Sequence, residues 1–444
     1  MNKYDKAPSG VNTSQWQYPV SGVFDKEADA MRQKIWNSPD ALDVKGNKWY
    51  VSENGNDEND GRTPETAWAT IDAMNAHKEE FGEGDAVLFE RGGVYRGRFV
   101  AKPYVSYGAY GTGDKPCIYG SPYNLATVEW EKTDRENVWK YGGYDSDVGI
   151  VIFEHGKLLG RKKCFSAGDL RIDYDFYYDK ETGVLYMYRE GVSPAEGYTS
   201  IEAGQQRTLL DLPGGTEGHV VIDNLCLKYT GGHAIGGGTL KNCTVQNCEI
   251  GWIGGSMLGN SGARYGNGFE NWGPCDGLSI TNTWIYQCYD TGFTFQGTGE
   301  GPEKNIVFSN NLVEYCWYST EMWNNGPNGG IENVTMDGNM LRFAGYGWGK
   351  ERYDPVNASH MFNMARQAKN FVVTNTIFEG STQALFLPYG AQYDGNTYVQ
   401  HRNNNYGSLG CDRDGNRLAF DANAEANIRD KIGDKNATVI YAEV

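Results

Sequence analysis

Four residues in the second half of the chain could carry chemistry together: Glu270, Asp290, Glu321 and His360. Their surroundings read RYGNGFENW, YDTGFTFQG, YSTEMWN and NASH, and Trp272 and Trp323 stand two residues after two of the acids. Paired carboxylates flanking one bond, with aromatic platforms beside them, are the equipment of glycoside hydrolysis. One carboxyl protonates the departing oxygen while the other attacks or activates water. Arg264, Arg352 and Asp354 lie in long connections near these blocks and join the expected substrate-binding set. Taken singly, each acid also reads as a solvated surface carboxylate, His360 as a structural partner of Glu321, and the tryptophans as strand packing. The choice depends on whether the fold gathers them on one surface.

The elements that must do so are written six times. The phrases VVIDNLCLKYTGGHAI, CTVQNCEIGWIGGS, LSITNTWIYQCYDTGFTF, IVFSNNLVEYCWYSTEMW, VTMDGNMLRFAGYGW and FVVTNTIFEGSTQALF each run as a β-branched alternating stretch, then Asn or Gly, then a second apolar stretch. Asn224, Asn247, Asn282, Asn310, Gly338 and Asn375 mark the break, at spacings of 23, 35, 28, 28 and 37 residues. Repeats of this length form solenoids whose coils bury their apolar faces only against one another. Period-2 alternation with no helical period between leaves a right-handed parallel β-helix, an all-β fold. The marked asparagines then stack at one tight corner, where a short polar side chain tolerates left-handed backbone.

Registering the third strand of each coil with Phe269, Phe293, Met322 and Met361 inward places outward Gly268, Glu270 and Trp272, then Gly292, Thr294 and Gln296, then Glu321, Trp323 and Asn325, and last His360, Phe362 and Met364. Asp290 stands at the mouth of its strand. Coils lie ~4.8 Å apart, so the Cα atoms of Asp290 and Glu321 are roughly 8 Å apart and their carboxyls can face a single bond. Tyr289 and Thr291 offer hydroxyls to keep Asp290 ionised, as nucleophile or base. Partial desolvation beside Trp323 would hold a proton on Glu321, the general acid. Glu270 and His360 would orient this pair and bind hydroxyls. The connections 254–267 and 345–359 both fall at the corner between second and third strands, and would wall this floor.

Composition narrows the partners. A formal charge of −17 with no basic run disfavours nucleic acid and anionic membrane surfaces. No stretch approaches the ~20 apolar residues that span a bilayer, and the first twenty residues lack a signal core. The chain as it stands reads as cytoplasmic, or as secreted if a signal has been removed. Nine cysteines without a CxxC read as buried thiols. No metal or cofactor is expected.

In chain order, residues 1–47 form an extension with one helix, FDKEADAMRQKIWNS, packed along the solenoid. Residues 48–125 hold a cap and the first coils, with a helix starting at Thr63-Pro64-Glu65 and built on Trp68, Ile71 and Met74. Residues 126–205 read as a small antiparallel β insertion, with one hairpin turning at Lys180-Glu181-Thr182-Gly183. Residues 206–390 are the main coils carrying the site, and 391–444 a final coil and helical cap.

The entry YVSENGNDENDGRTPETAWATIDAM, with the blocks YTGGHAIGG, WIGGS, RYGNGFENW, YDTGFTFQG, YSTEMWN and GYGWGKERYDPVNASH, resembles bacterial right-handed β-helix proteins grouped with carbohydrate-active enzymes. The likeness covers roughly residues 48–390, in the pectate-lyase-like superfamily, and looks most like its glycoside hydrolases. It implies an oligo- or polysaccharide substrate and adds His233, in YTGGHAIGG, to the substrate-binding residues. Lys350, Tyr353 and Val356 depart from the pattern in the longer wall. Two walls suit exo action on chain ends, with retention the expected stereochemistry. Two other readings share the fold: a polysaccharide lyase or epimerase, disfavoured by a floor without Lys or Arg, and a non-catalytic carbohydrate-binding solenoid.

Overall fold

The computed structural model describes residues 20–215, 218–297, 300–352, 358–363, 367–386, 390–401, 408–411 and 416–442. Within them the chain visits three long sheets in rotation. One coil runs through Leu240–Gln246, Glu249–Ile253 and Phe269–Trp272 before the next begins at Cys275–Thr281. Each sheet has ten strands, and pairing within them is parallel except between Ser408–Cys411 and Arg417–Ala419 at the end of the third. This is the parallel β-helix read from the repeats, and right-handed winding is the hand that parallel connections take.

Register explains why the alternation was so regular. Val245, Ile280, Phe308, Met336 and Val373 stack as one column in the first sheet. Ile250, Ile285, Val313, Leu341 and Phe378 do the same in the second. All ten side chains are fully buried. At about 1.5–3 kcal/mol for each large apolar side chain, these columns supply the main stabilising term of every coil.

The first corner is built as expected. Asn224, Asn247, Asn282, Asn310, Gly338 and Asn375 all adopt φ between 47° and 64°, and Asn282 Nδ2 donates to Asn247 Oδ1 at 2.6 Å. The residue after this corner was not foreseen as polar and inward. Asn311 Nδ2 donates to the Ile280 carbonyl at 2.9 Å while its Oδ1 accepts from Thr283 N–H at 3.0 Å. Asn339 and Asn396 repeat the pattern, donating to Phe308 and Val373 carbonyls. These amides satisfy main-chain groups that the turn leaves without strand partners. Asn311→Ala is therefore expected to lower stability by roughly 1–3 kcal/mol for each buried group left unpaired, read from the guanidinium midpoint.

The helix Asp25–Trp36 turns Ala28, Arg32, Ile35 and Trp36 onto the outer face of the second sheet. There it meets a row of charge. Arg32 makes a two-pronged contact with Glu314 at 2.8 and 3.1 Å, Arg342 Nη1 reaches Glu314 at 2.8 Å, and Arg342 Nε reaches Glu379 at 2.6 Å. Although burial pushes the Glu314 carboxyl upward, the two guanidiniums outweigh it and hold the group below the usual range.

The entry differs from expectation. Instead of one helix from Thr63, there is a 3₁₀ turn at Pro64–Thr66 and a helix at Ile71–Ala76 capped by Thr70. Trp68 lies extended between them, bridged to Val51. The cause is Asp57, whose Oδ1 accepts from the N–H groups of both Ala69 and Thr70 and breaks the helix. Trp49, Trp68, Ile71 and Met74 still close the first coil, and Ala424, Ile428 and Ile432 of the C-terminal helix close the last. Between them, Val148–Phe153 pairs antiparallel with Leu158–Leu159 and Ile201–Gln205, and Asp175–Asp179 with Val184–Tyr188. No helix among the described residues is long and apolar enough to cross a membrane.

Candidate active site

The third sheet presents two outward rows. Glu270, Thr294, Glu321 and Phe362 are successive register partners in one, and Trp272, Gln296 and Trp323 in the other. Glu270 and Glu321 are thus two strand spacings apart, roughly 9–10 Å between Cα atoms. Trp272 is half exposed, and its ring meets Trp323 edge to face at 5.8 Å.

Inward register needs one correction. Phe269, Phe293, Thr320 and Met361 form one column, and Met322 sits in the next, beside Phe295. A larger one concerns His360, expected outward. A Cβ added at Gly268 would meet Ile285 and Cys288, and one at Gly292 would meet Val313 and Cys316, so that column faces the interior at the corner. His360 shares it with Ser319, which it bonds through Nδ1 at 2.9 Å, and has no exposed surface. Burial drives its imidazole down to about 3. It is a neutral core residue, unable to reach a substrate. Arg264 is also withdrawn: its Nε donates to the Gly255 carbonyl and Nη2 to Gly149, beneath the rings of Tyr289 and Trp348. Asp354 lies outside the described residues.

The three acids do converge, in different states. Glu321 is pushed up to about 8, first by burial and then by the neighbouring Asp290 charge, while the Thr291 hydroxyl donates to its Oε2 at 3.0 Å. Glu270 is also raised well above the usual carboxylate range, by burial first, against an opposing bond from Asn267. Its Oε1 is buried without a hydrogen-bond partner among the described residues. Asp290 instead pairs with Arg352 Nη1 at 3.1 Å. Of the hydroxyls expected to serve Asp290, that of Thr291 is engaged on Glu321, and Tyr289 offers its ring to the Arg352 guanidinium, whose carbon lies 5.4 Å from that ring and 5.0 Å from Trp317. The wall loop, not the strand, supplies the counter-charge.

His233 borders Glu270, with Nδ1 3.9 Å from Oε2. That Nδ1 accepts from Asn267 N–H at 3.2 Å, so in the neutral ring Nε2 carries the proton and is a donor. Burial lowers the imidazole to about 4, keeping it neutral at ordinary pH. Asn267 was missed by sequence reasoning, yet it joins the coils: Nδ2 donates to Glu270 and Oδ1 accepts from Thr291 N–H at 2.9 Å. Tyr318 was missed as well. Its phenol is raised by burial and then by Asp290 and Glu321, which places it among them. A polar residue closing a wall loop just before Gly268, and an aromatic three residues before Glu321, were the available signals.

The walls are anchored. Ser256–Met257 and Arg264–Tyr265 form a hairpin, and Trp348 N–H and Nε1 donate to Gln287 at 3.1 and 2.8 Å, reaching back across neighbouring coils. Neither loop is therefore a detachable surface segment. Removing Trp348 or Arg264 also removes core packing.

A titration consequence follows from Glu321. Its carboxyl, raised from 4.5 to about 8, binds its proton more tightly folded than unfolded. The associated stability is fully present below pH 4.5 and is lost as pH rises through about 8. Thermal melts of Glu321→Gln should show a flatter fall across that window than the unsubstituted protein.

No family model matches the chain, and no curated protein matches it. Solved structures do. One is the complex structure of XylC with xylose, 12% identical, with a TM-score of 0.45, covering 89% of this chain and 82% of that one. Another is described as a glycoside hydrolase, 10% identical, with a TM-score of 0.44, covering 80% and 93%. A third is the GH136 lacto-N-biosidase from Eubacterium ramulus, 13% identical, with a TM-score of 0.40, covering 81% and 64%.

Proposed function

We propose that the protein is a glycoside hydrolase that acts on an oligo- or polysaccharide, with Glu321 as general acid and Asp290 as nucleophile or base. The observation carrying this reading is the split between two neighbouring carboxyls, one buried and raised to about 8, the other paired with a guanidinium. A carboxyl whose burial favours its proton, beside a second one paired with a guanidinium, is what bond cleavage with leaving-group protonation requires. Glu270, whose burial favours the protonated carboxyl, and His233 Nε2 are placed to bind sugar hydroxyls, and Trp272 and Trp323 offer platforms at the rim. The flanking loops suit a chain end, hence exo action.

Arg352 reaches the floor, which keeps a lyase reading in play because an arginine can serve as its base. Its ion pair with Asp290 favours the role of charge partner. Incubation with neutral and acidic polysaccharides is expected to release new reducing ends without absorbance from an unsaturated sugar. The unsaturated product would instead identify a lyase. NMR of the first-formed anomer then tests retention. The general acid also sets a pH limit, since activity should hold through neutrality and fall above about 8, where Glu321 loses its proton.

A further inference from the structure

A second concavity lies on the other side of the hairpin wall from the floor. It has a volume of about 570 Å³ and is lined by Asp145, Phe165, Tyr177, Lys180 and Gln206 and by Met257 and Asn260 of the hairpin. That volume is within the range of small-molecule pockets. Its width is fixed by direct bonds between its sides. Asp147 Oδ2 accepts from Met257 N–H at 2.7 Å, Lys180 Nζ donates to Asn260 Oδ1 at 2.9 Å, and Gln206 Nε2 donates to the Met257 carbonyl at 3.0 Å. A cleft braced in this way does not collapse when empty.

Its chemistry is specific. The acids are compensated within the protein, Asp145 by Arg207 and Asp147 by Lys162, so the lining carries no net negative charge, and the Lys180 ammonium adds a further donor beside Asn260. At the rim Phe165 is 65% exposed. Its ring lies against Gly262, where an added Cβ would come within 2.8 Å of Cζ, so the glycine lets the ring rest on the hairpin tip. An exposed aromatic face above a polar cleft rich in donors suits a ligand with one apolar face and a belt of hydroxyls. The cleft is also tied to the floor, because Gln206 Nε2 donates to Tyr265 Oη at 3.2 Å and the Tyr265 ring lies 5.2 Å from His233.

We infer that this cleft is a second saccharide site, holding a pyranose unit on residues other than those of the floor. It rests on the carbohydrate reading of the protein but not on hydrolysis. The test uses Glu321→Gln, to prevent turnover, titrated calorimetrically with neutral oligosaccharides of increasing length, with and without Phe165→Ala. Phe165 is exposed, so its removal should leave the melting curve unchanged, which is checked first. Phe165→Ala is expected to weaken binding of the longer oligosaccharides roughly tenfold. In the otherwise unsubstituted protein it should leave kcat/KM on simple aryl monosaccharides unaltered. Unchanged affinity at every length would overturn the inference. So would a Phe165-dependent shift in oligomeric state by light scattering, which would assign the rim to self-association. Binding lost with Phe165 in a protein that hydrolyses no glycoside would uphold the cleft and reject the hydrolase.

Discussion

Glu321→Gln is expected to lower kcat/KM for alkyl glycosides and oligosaccharides by roughly a hundred- to ten-thousand-fold, the usual weight of a general acid, and to spare nitrophenyl glycosides far more. An activated leaving group departs without a proton, so it does not need what glutamine lacks. Asp290→Asn should abolish both activities, because the lost group forms or assists the new bond in every substrate. Glu270→Gln is expected to be mild, since burial favours the protonated carboxyl that the amide imitates. Comparing the three variants on both substrate types checks the assignment. Equal slowing of the two substrates by Glu321→Gln would reverse it, as would a working Asp290→Asn, and Glu270 would become the carboxylate to test.

The corner asparagines and the inward columns were legible in the sequence because each obeys a local rule, left-handed backbone in one case and period 2 in the other. Glu270, Glu321, Trp272 and Trp323 followed from the same alternation. His360 did not, because the column of Gly268 and Gly292 turns inward at the corner, and alternation carried across a bend assigns the wrong face. Arg264 was misplaced for a different reason: a charged residue in a long connection reads as exposed, and only the rings of Tyr289 and Trp348 above it show otherwise. Asn311 and Asn339 were hidden because two polar residues in succession look like one longer turn. The counter-charge on Asp290 came from Arg352, 62 residues later in the chain, a pairing that no local pattern encodes.

Arg342→Met should be the most damaging substitution away from the floor. The guanidinium is 1% exposed and serves Glu314 and Glu379, both wholly buried, together with Asp25. Removing it leaves Glu379 without its guanidinium and Glu314 with Arg32 alone. Loss of one partner from a buried ionic group costs about 3–5 kcal/mol. Guanidinium denaturation should show that loss, and Arg342→Lys should recover little of it, because an ammonium cannot present the forked geometry that serves both carboxylates. A loss below about 1 kcal/mol would mean that water enters the row and solvates the acids.

The N-terminal helix makes this solenoid something other than a stack of neighbours. Phe24 N–H reaches Glu379 Oε1 at 3.2 Å across 355 residues of sequence, and Tyr315 donates to the Val20 carbonyl across 295. A chain growing from a ribosome at roughly 5–20 residues per second therefore exposes this segment for tens of seconds before Glu379 exists. Coils can assemble in order as they emerge, but their charged outer row stays unclosed until the helix Asp25–Trp36 folds back over Glu314, Arg342 and Glu379. Closure is thus a late, long-range event imposed on a fold whose other contacts are mostly between successive turns, and it couples those turns into one cooperative unit.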